Sequence, residues 1–172
     1  MKKTIIIIII VLVVVIGIFY VKNNNASEPD YKNITYRIES QSDTLKDGIA
    51  EVEVVPGSAS KSITKYFGNE AKGDWNGDGI PDLAFLLTQE TGGSATFYYV
   101  VAALQNEKGG YTGTSAVLLG DRIAPQTTEF RDGEIIVNYA DRKAGEAMTV
   151  APSVAVSKYL KVVNDALVEV SH

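Results

Sequence analysis

The stretch Asp74-Trp75-Asn76-Gly77-Asp78-Gly79-Ile80-Pro81-Asp82 sets side-chain oxygens at alternate positions, separated by glycines, and adds a further carboxylate four residues on. A hard cation such as Ca²⁺ gathers roughly six to eight oxygens at about 2.3–2.6 Å, so a short loop that turns alternate side chains inward supplies several ligands at once. The candidate ligands are Asp74, Asn76, Asp78, the Ile80 backbone carbonyl and Asp82. Without a metal, the same residues would form a polar Asn-Gly and Asp-Gly turn. Three carboxylates crowded into so short a loop repel one another unless a cation lies among them. The sequence therefore predicts one bound Ca²⁺.

With Asp74 as the first position, Gly79 stands at the sixth, where a helix–loop–helix calcium site needs glycine for its sharp turn. The twelfth position, which supplies that site's bidentate glutamate, is Phe85, inside Leu83-Ala84-Phe85-Leu86-Leu87. That apolar run reads as a buried strand, so an EF-hand is not expected. The loop instead resembles those of dockerin modules and of FG-GAP repeats in integrin-type propellers, which implies Asp82 as a ligand and a strand after it. A propeller takes roughly four to eight repeated blades, and this chain holds one such loop, so the likeness is local.

The rest of the chain must position that loop, and from Ile34 onward it reads as β. Tyr36 and Ile38 continue an alternation begun at Ile34, Asp47-Gly48 supplies a turn, and residues 49–54 resume as a strand. Residues 62–67, 83–88, 95–103 and 116–119 are further strand candidates. Residues 127–131 and 134–139 flank Asp132-Gly133, a strong hairpin signal, and Val154–Val163 and Ala166–Val170 flank Asn164-Asp165. The expected fold is all-β, mostly antiparallel, sandwich-like or barrel-like. One or two short helices are accommodated, because residues 153–163 and 59–67 suit either state.

At the other end of the chain, residues 1–4 are a basic start and residues 5–21 an unbroken apolar run rich in Ile and Val. About 17 residues is the lower limit for spanning a bilayer and exceeds the apolar region of an ordinary signal peptide. The expectation is one N-terminal transmembrane helix, with cleavage after Ala26 as the alternative, and the remainder outside the cytoplasm. Residues 22–33 are a polar linker and 34–172 the extracytoplasmic domain. Three of the 16 basic residues (Lys2, Lys3, Lys22) lie in the N-terminal part, leaving 13 against 21 acidic ones, a net −8. Such a balance argues against nucleic acid as a partner, since phosphate binding needs a basic surface.

Other chemistries are largely excluded. There is no cysteine and the one histidine is His172, so thiol nucleophiles, Ser-His-Asp triads and His-rich zinc sites are not expected. A carboxylate-pair hydrolase needs only two acids suitably spaced, for which Glu70, Glu90 and Glu129 are candidates. Asp121-Arg122 and Asp141-Arg142 each set an acid beside a base. Neighbours on a strand face opposite ways, so each Arg is expected to pair across strands. Tyr98, Tyr99, Tyr111 and Tyr139 suit a core better than a sugar-stacking surface, whereas Trp75, between two candidate ligands, is expected to stay exposed.

Longer stretches, namely Lys65-Tyr66-Phe67-Gly68-Asn69-Glu70, residues 85–101, 118–129 and 138–142, and Pro152-Ser153-Val154, resemble an uncharacterised family of small exported bacterial proteins. The resemblance implies a bacterial, envelope-associated protein, some of whose relatives accompany envelope-stress or lysozyme-inhibitor-like domains, and it implies no catalytic residue. The combined expectation is a membrane-tethered, non-enzymatic calcium domain with an envelope protein or glycan as partner. A carboxylate-based hydrolase of envelope polysaccharide and an envelope hydrolase inhibitor are the alternatives.

Overall fold

The computed structural model describes residues 30–172, so the apolar run 5–21 and most of the linker expected at 22–33 lie outside the described residues. Every element is a strand: β1 Thr35–Ile38, β2 Gln41–Thr44, β3 Ile49–Glu53, β4 Lys61–Gly73, β5 Asp82–Glu90, β6 Phe97–Gln105, β7 Tyr111–Gly113, β8 Val117–Asp121, β9 Ala124–Arg131, β10 Glu134–Asp141, β11 Val154–Val163 and β12 Ala166–Val170. The helices considered for 59–67 and 153–163 do not form; from Lys61 and Val154 onward both segments are strand, with Lys61–Lys65 paired to β3 and Val154–Leu160 to β10. Among the described residues no helix is long and apolar enough to cross a membrane.

The strands make a six-stranded sheet in the order β3-β4-β5-β6-β7 with β8 also on β6, a four-stranded sheet β12-β11-β10-β9, and the hairpin β1-β2. All the ladders are antiparallel. Strand side chains alternate between faces, and the β5–β6 pair buries both of its faces. Ala84, Leu86, Val100 and Leu104 meet Ile135, Val137, Tyr139, Leu160 and Leu167 of the four-stranded sheet. Leu83, Phe85, Leu87, Tyr99 and Val101 meet Tyr36, Ile38 and Leu45 from the hairpin side. This two-sided burial is why β5 reads as a continuous apolar run rather than an alternating one. Fully burying each large apolar side chain here contributes about 1.5–3 kcal/mol, which makes β5–β6 the rigid centre on which the loops are mounted.

Three two-residue turns follow from their residues. Asp47-Gly48, Asp132-Gly133 and Asn164-Asp165 all have φ near +50° to +83° at both positions, which Asn, Asp and Gly tolerate best. Two strands, β2 and β7, were not legible in the sequence. Gln41-Ser42-Asp43-Thr44 of β2 has no apolar residue to signal its pattern and buries Asp43 instead.

Midway along β4 the ladder with β5 slips twice, around Gly68 (φ +101°) and Asn69 (φ +58°). Such bulges re-aim side chains. Here Glu70 receives the hydroxyls of Tyr66, at 2.5 Å, and Tyr31. Lys32 lies over the Tyr66 ring, 4.0 Å from its centroid. The compact unit accordingly begins at Tyr31.

Candidate metal centre

The loop of interest joins β4 to β5, closed at its base by the pairing of Gly73 with Asp82. Its backbone is wrapped around Asp74. Oδ1 accepts the amides of Gly77 (2.7 Å) and Asp78 (3.1 Å), and Oδ2 that of Gly79 (2.9 Å). Asn76 Oδ1 accepts the Asp78 amide, and Asp78 Oδ1 accepts the Ile80 amide. Asn76 Nδ2 donates to Asp78 Oδ2 at 3.0 Å. Gly77 and Gly79 both take φ near +80°, which lets the chain turn this tightly.

Asp82 is fully buried, and its two oxygens tie separate parts of the structure together. Oδ2 accepts the Trp75 amide (3.1 Å) and Oδ1 the Gln105 amide at the end of β6 (2.7 Å). Burial raises its pKa above the ordinary carboxylate value, the Gln105 and Trp75 amides oppose the rise, and the charges of Asp78 and Asp74 add to it. The three acids therefore feel one another. None has a Lys or Arg partner among the described residues.

Trp75 departs from expectation. It is 6% exposed, not a surface residue, and packs edge-on against Phe130 of β9 with centroids 4.6 Å apart. A side chain between two outward-facing residues points the other way, which here means into the seam between the sheets. Gly73 admits the same ring, since a Cβ there would lie 2.5 Å from Phe130. The loop is thus nailed to the core at its base and open at its tip, where Asn76 through Gly79 are exposed.

The sequence-predicted ligands are therefore drawn to one loop, with Asp74, Asn76 and Asp78 directly linked and Asp82 reached through the Trp75 amide. Among the described residues no three His, Cys, Asp or Glu side chains converge as a ready-made metal cluster; the carboxylates are turned onto backbone amides. A carboxylate offers about four acceptor positions. Asp74 uses three and Asp78 and Asp82 two each, so all three keep capacity toward a cation.

The other candidates disperse. Glu70 serves Tyr31 and Tyr66, Glu90 lies 3.7 Å from Lys65, and Glu129 accepts from Thr127 and Asn138 on the other sheet. Arg122 does not pair across strands. It forks onto its own neighbour Asp121 at 3.0 Å, because it lies past the end of β8 with φ +48°, where the alternation of faces no longer applies. Burial would raise the Asp121 pKa, but Arg122, the Thr96 amide and Arg142 outweigh it and hold the carboxyl below its ordinary value. Arg142 donates to the carbonyls of Val150 and Arg122. His172 meets Glu134 at 2.9 Å. Tyr99 and Tyr139 are buried and Tyr98 and Tyr111 half-buried. No family model, curated protein or solved structure matches the chain.

Proposed function

We propose that this is a non-enzymatic, calcium-stabilised domain, held outside the cytoplasm by the apolar run 5–21 and serving a structural or interaction role in a cell envelope. The observation that carries the calcium reading is the loop itself. Three carboxylates within nine residues lack a cationic partner, and one of them, Asp82, is wholly buried with its pKa raised in part by the other two. A cation would relieve that repulsion. Asp74, Asn76, Asp78, the Ile80 carbonyl and Asp82 would hold it. Side-chain rotation would complete the set, since the backbone already runs round Asp74. The apolar run and the net −8 of the remaining chain support a tether rather than a nucleic-acid or anionic-lipid surface.

Extracellular calcium modules commonly bind in the range of about 10⁻⁴–10⁻³ M, which would keep the site filled outside a cell and nearly empty inside. Binding only the folded state adds about 2.7 kcal/mol at a hundredfold excess over Kd, or a rise in Tm on the order of 10 °C. The test is calorimetric titration of the full chain with Ca²⁺ and Mg²⁺, with melting curves in EDTA and in millimolar calcium. A calcium-selective rise that disappears in Asp78→Ala is expected, and an unchanged Tm in wild type would sink the reading.

A further inference from the structure

The opposite end of the β4–β5 pair carries a second polar constellation. Gln89 stands seven residues beyond Asp82 on β5, roughly 23 Å at the rise of a strand. There Asp43 of β2 is 1% exposed, with no Lys or Arg partner among the described residues. Its oxygens accept from Gln41 Nε2 (2.6 Å), Thr64 Oγ1 (2.5 Å) and, at 3.4 Å, Gln89 Nε2. Oxygens that only accept fix the orientation of both amides. The Gln41 and Gln89 amide nitrogens are turned to Asp43, and among the described residues no protein group donates to the Gln89 amide oxygen.

Beside them is a half-open recess of about 160 Å³, walled by Ile38 and the Glu39–Gln41 turn and by Val54, Ser62, Gln89 and Thr91. Ser62 is 5% exposed and its Oγ is buried without a partner. A buried hydroxyl left unpaired in a native fold calls for an explanation, and a ligand is one. The turn breaks a local rule as well. Glu39 takes φ +54° at a position of a two-residue hairpin where Gly, Asn or Asp is preferred, as the other three such turns have it. Its carboxylate stands at the rim, receiving the Tyr99 hydroxyl at 3.2 Å. Strain of this kind gathers at functional sites.

The lining residues thus offer the Glu39 carboxylate, the Gln41 and Gln89 amides and hydroxyls, with the Asp43 carboxylate bonded to those amides and, among the described lining residues, no cation. Five waters' worth of volume, at about 30 Å³ each, is too small for a drug-sized molecule. A divalent metal fits poorly, since about six oxygens are required and Glu39 is the one acid among the lining residues. A neutral polyol would leave the two acids without a counter-charge. We propose that this recess binds a protonated primary amine, whose three N–H donors would be shared among Glu39, Ser62 and the Gln89 amide oxygen. The site is independent of residues 74–82 and stands whether or not they take calcium.

The test is a titration of the isotopically labelled full chain followed by NMR, with ethanolamine as probe and ethylene glycol as its neutral isostere. Saturable shifts of the Gln41 and Gln89 side-chain amides and of the Ser62 backbone amide are expected with ethanolamine and not with ethylene glycol. In Glu39→Gln, which keeps shape and removes the rim charge, affinity should fall tenfold or more. Nα-acetyl-lysine amide separates the sources. Tighter binding than ethanolamine would assign the amine to a lysine of a partner protein, weaker binding to a small free amine. Flat ethanolamine titrations, equal response to ethylene glycol, displacement by Ca²⁺, or an unchanged affinity in Glu39→Gln would each overturn the proposal.

Discussion

The two ends of the β4–β5 pair handle acids in opposite ways. At the loop end, Asp74 and Asp78 sit within a few residues of their hydrogen-bond donors, which are mostly backbone amides; Asp74 is half-buried and Asp78 is exposed at the tip. At the recess end, Asp43 is served by side chains, two of them 21 and 46 positions away in sequence, and is sealed from water. Local amides can wrap an acid and still leave lone pairs facing outward, a geometry suited to a metal. Distant amides locked onto a buried acid present their own oxygens instead, a geometry suited to a hydrogen-bond donor. The same residue type thus takes two different surroundings, according to whether its partners are near or far along the chain.

The sharpest way to break that comparison is Trp75→Ala. Removing a buried indole costs about 4 kcal/mol, and it frees the loop base from Phe130 while the residue 75 amide still reaches Asp82. Denaturant unfolding in EDTA should show the full loss, and calcium affinity should fall with it while ethanolamine binding at the far end persists. If both binding events vanish together, the two ends are not separate sites.

Glu39→Gly sharpens the comparison from the recess end. Glycine takes φ +54° freely, so stability should rise by about 1 kcal/mol while amine binding is lost, the trade expected where a strained residue serves function. A destabilised Glu39→Gly variant would mean that the Tyr99 contact outweighs the strain.

The smallest effect lies between the ends, at the β4 bulge. Burial alone would raise the Glu70 pKa, but the Tyr31 and Tyr66 hydroxyls and the nearby Lys32 and Lys72 bring it below its ordinary value. A carboxyl whose folded pKa is depressed contributes stability that is fully present above its unfolded value, about 4.3, and is lost as pH falls through the lower folded one. Glu70→Gln should therefore lower stability at neutral pH and flatten the acid limb, the two proteins converging as pH falls through the folded value. Equal acid limbs for the two proteins would remove Glu70 from the account. Burial, and then the contact with Glu70, push the Tyr66 phenol up to about 12.

Much of this protein was legible because its signals are local. Asp-Gly and Asn-Asp pairs fixed three hairpins, the apolar run 83–87 announced the buried strand, and the alternate oxygens of residues 74–82 marked the loop at its true place between β4 and β5. The failures share a cause. Trp75 read as exposed because its neighbours in sequence are polar, yet Phe130, 55 positions later, gives it a wall. Arg122 read as a cross-strand partner because strand alternation was applied to it, yet β8 ends at Asp121. β2 was missed since its buried residue is Asp43, and only Thr64 and Gln89, brought beside it by the sheet, make that burial tolerable.

By itself, then, the sequence determined what neighbours can decide: the all-β character, the turns, the two-faced burial of β5 and the oxygen pattern of one loop, since backbone preference and side-chain alternation act over a few residues. Tertiary structure alone decided which acids are sheltered, which aromatic closes the loop base, and that Glu39, Ser62 and Gln89 share a recess. Those facts depend on β1–β2, β4 and β5 meeting in space, and the hydrogen bonds that join them have no period along the chain.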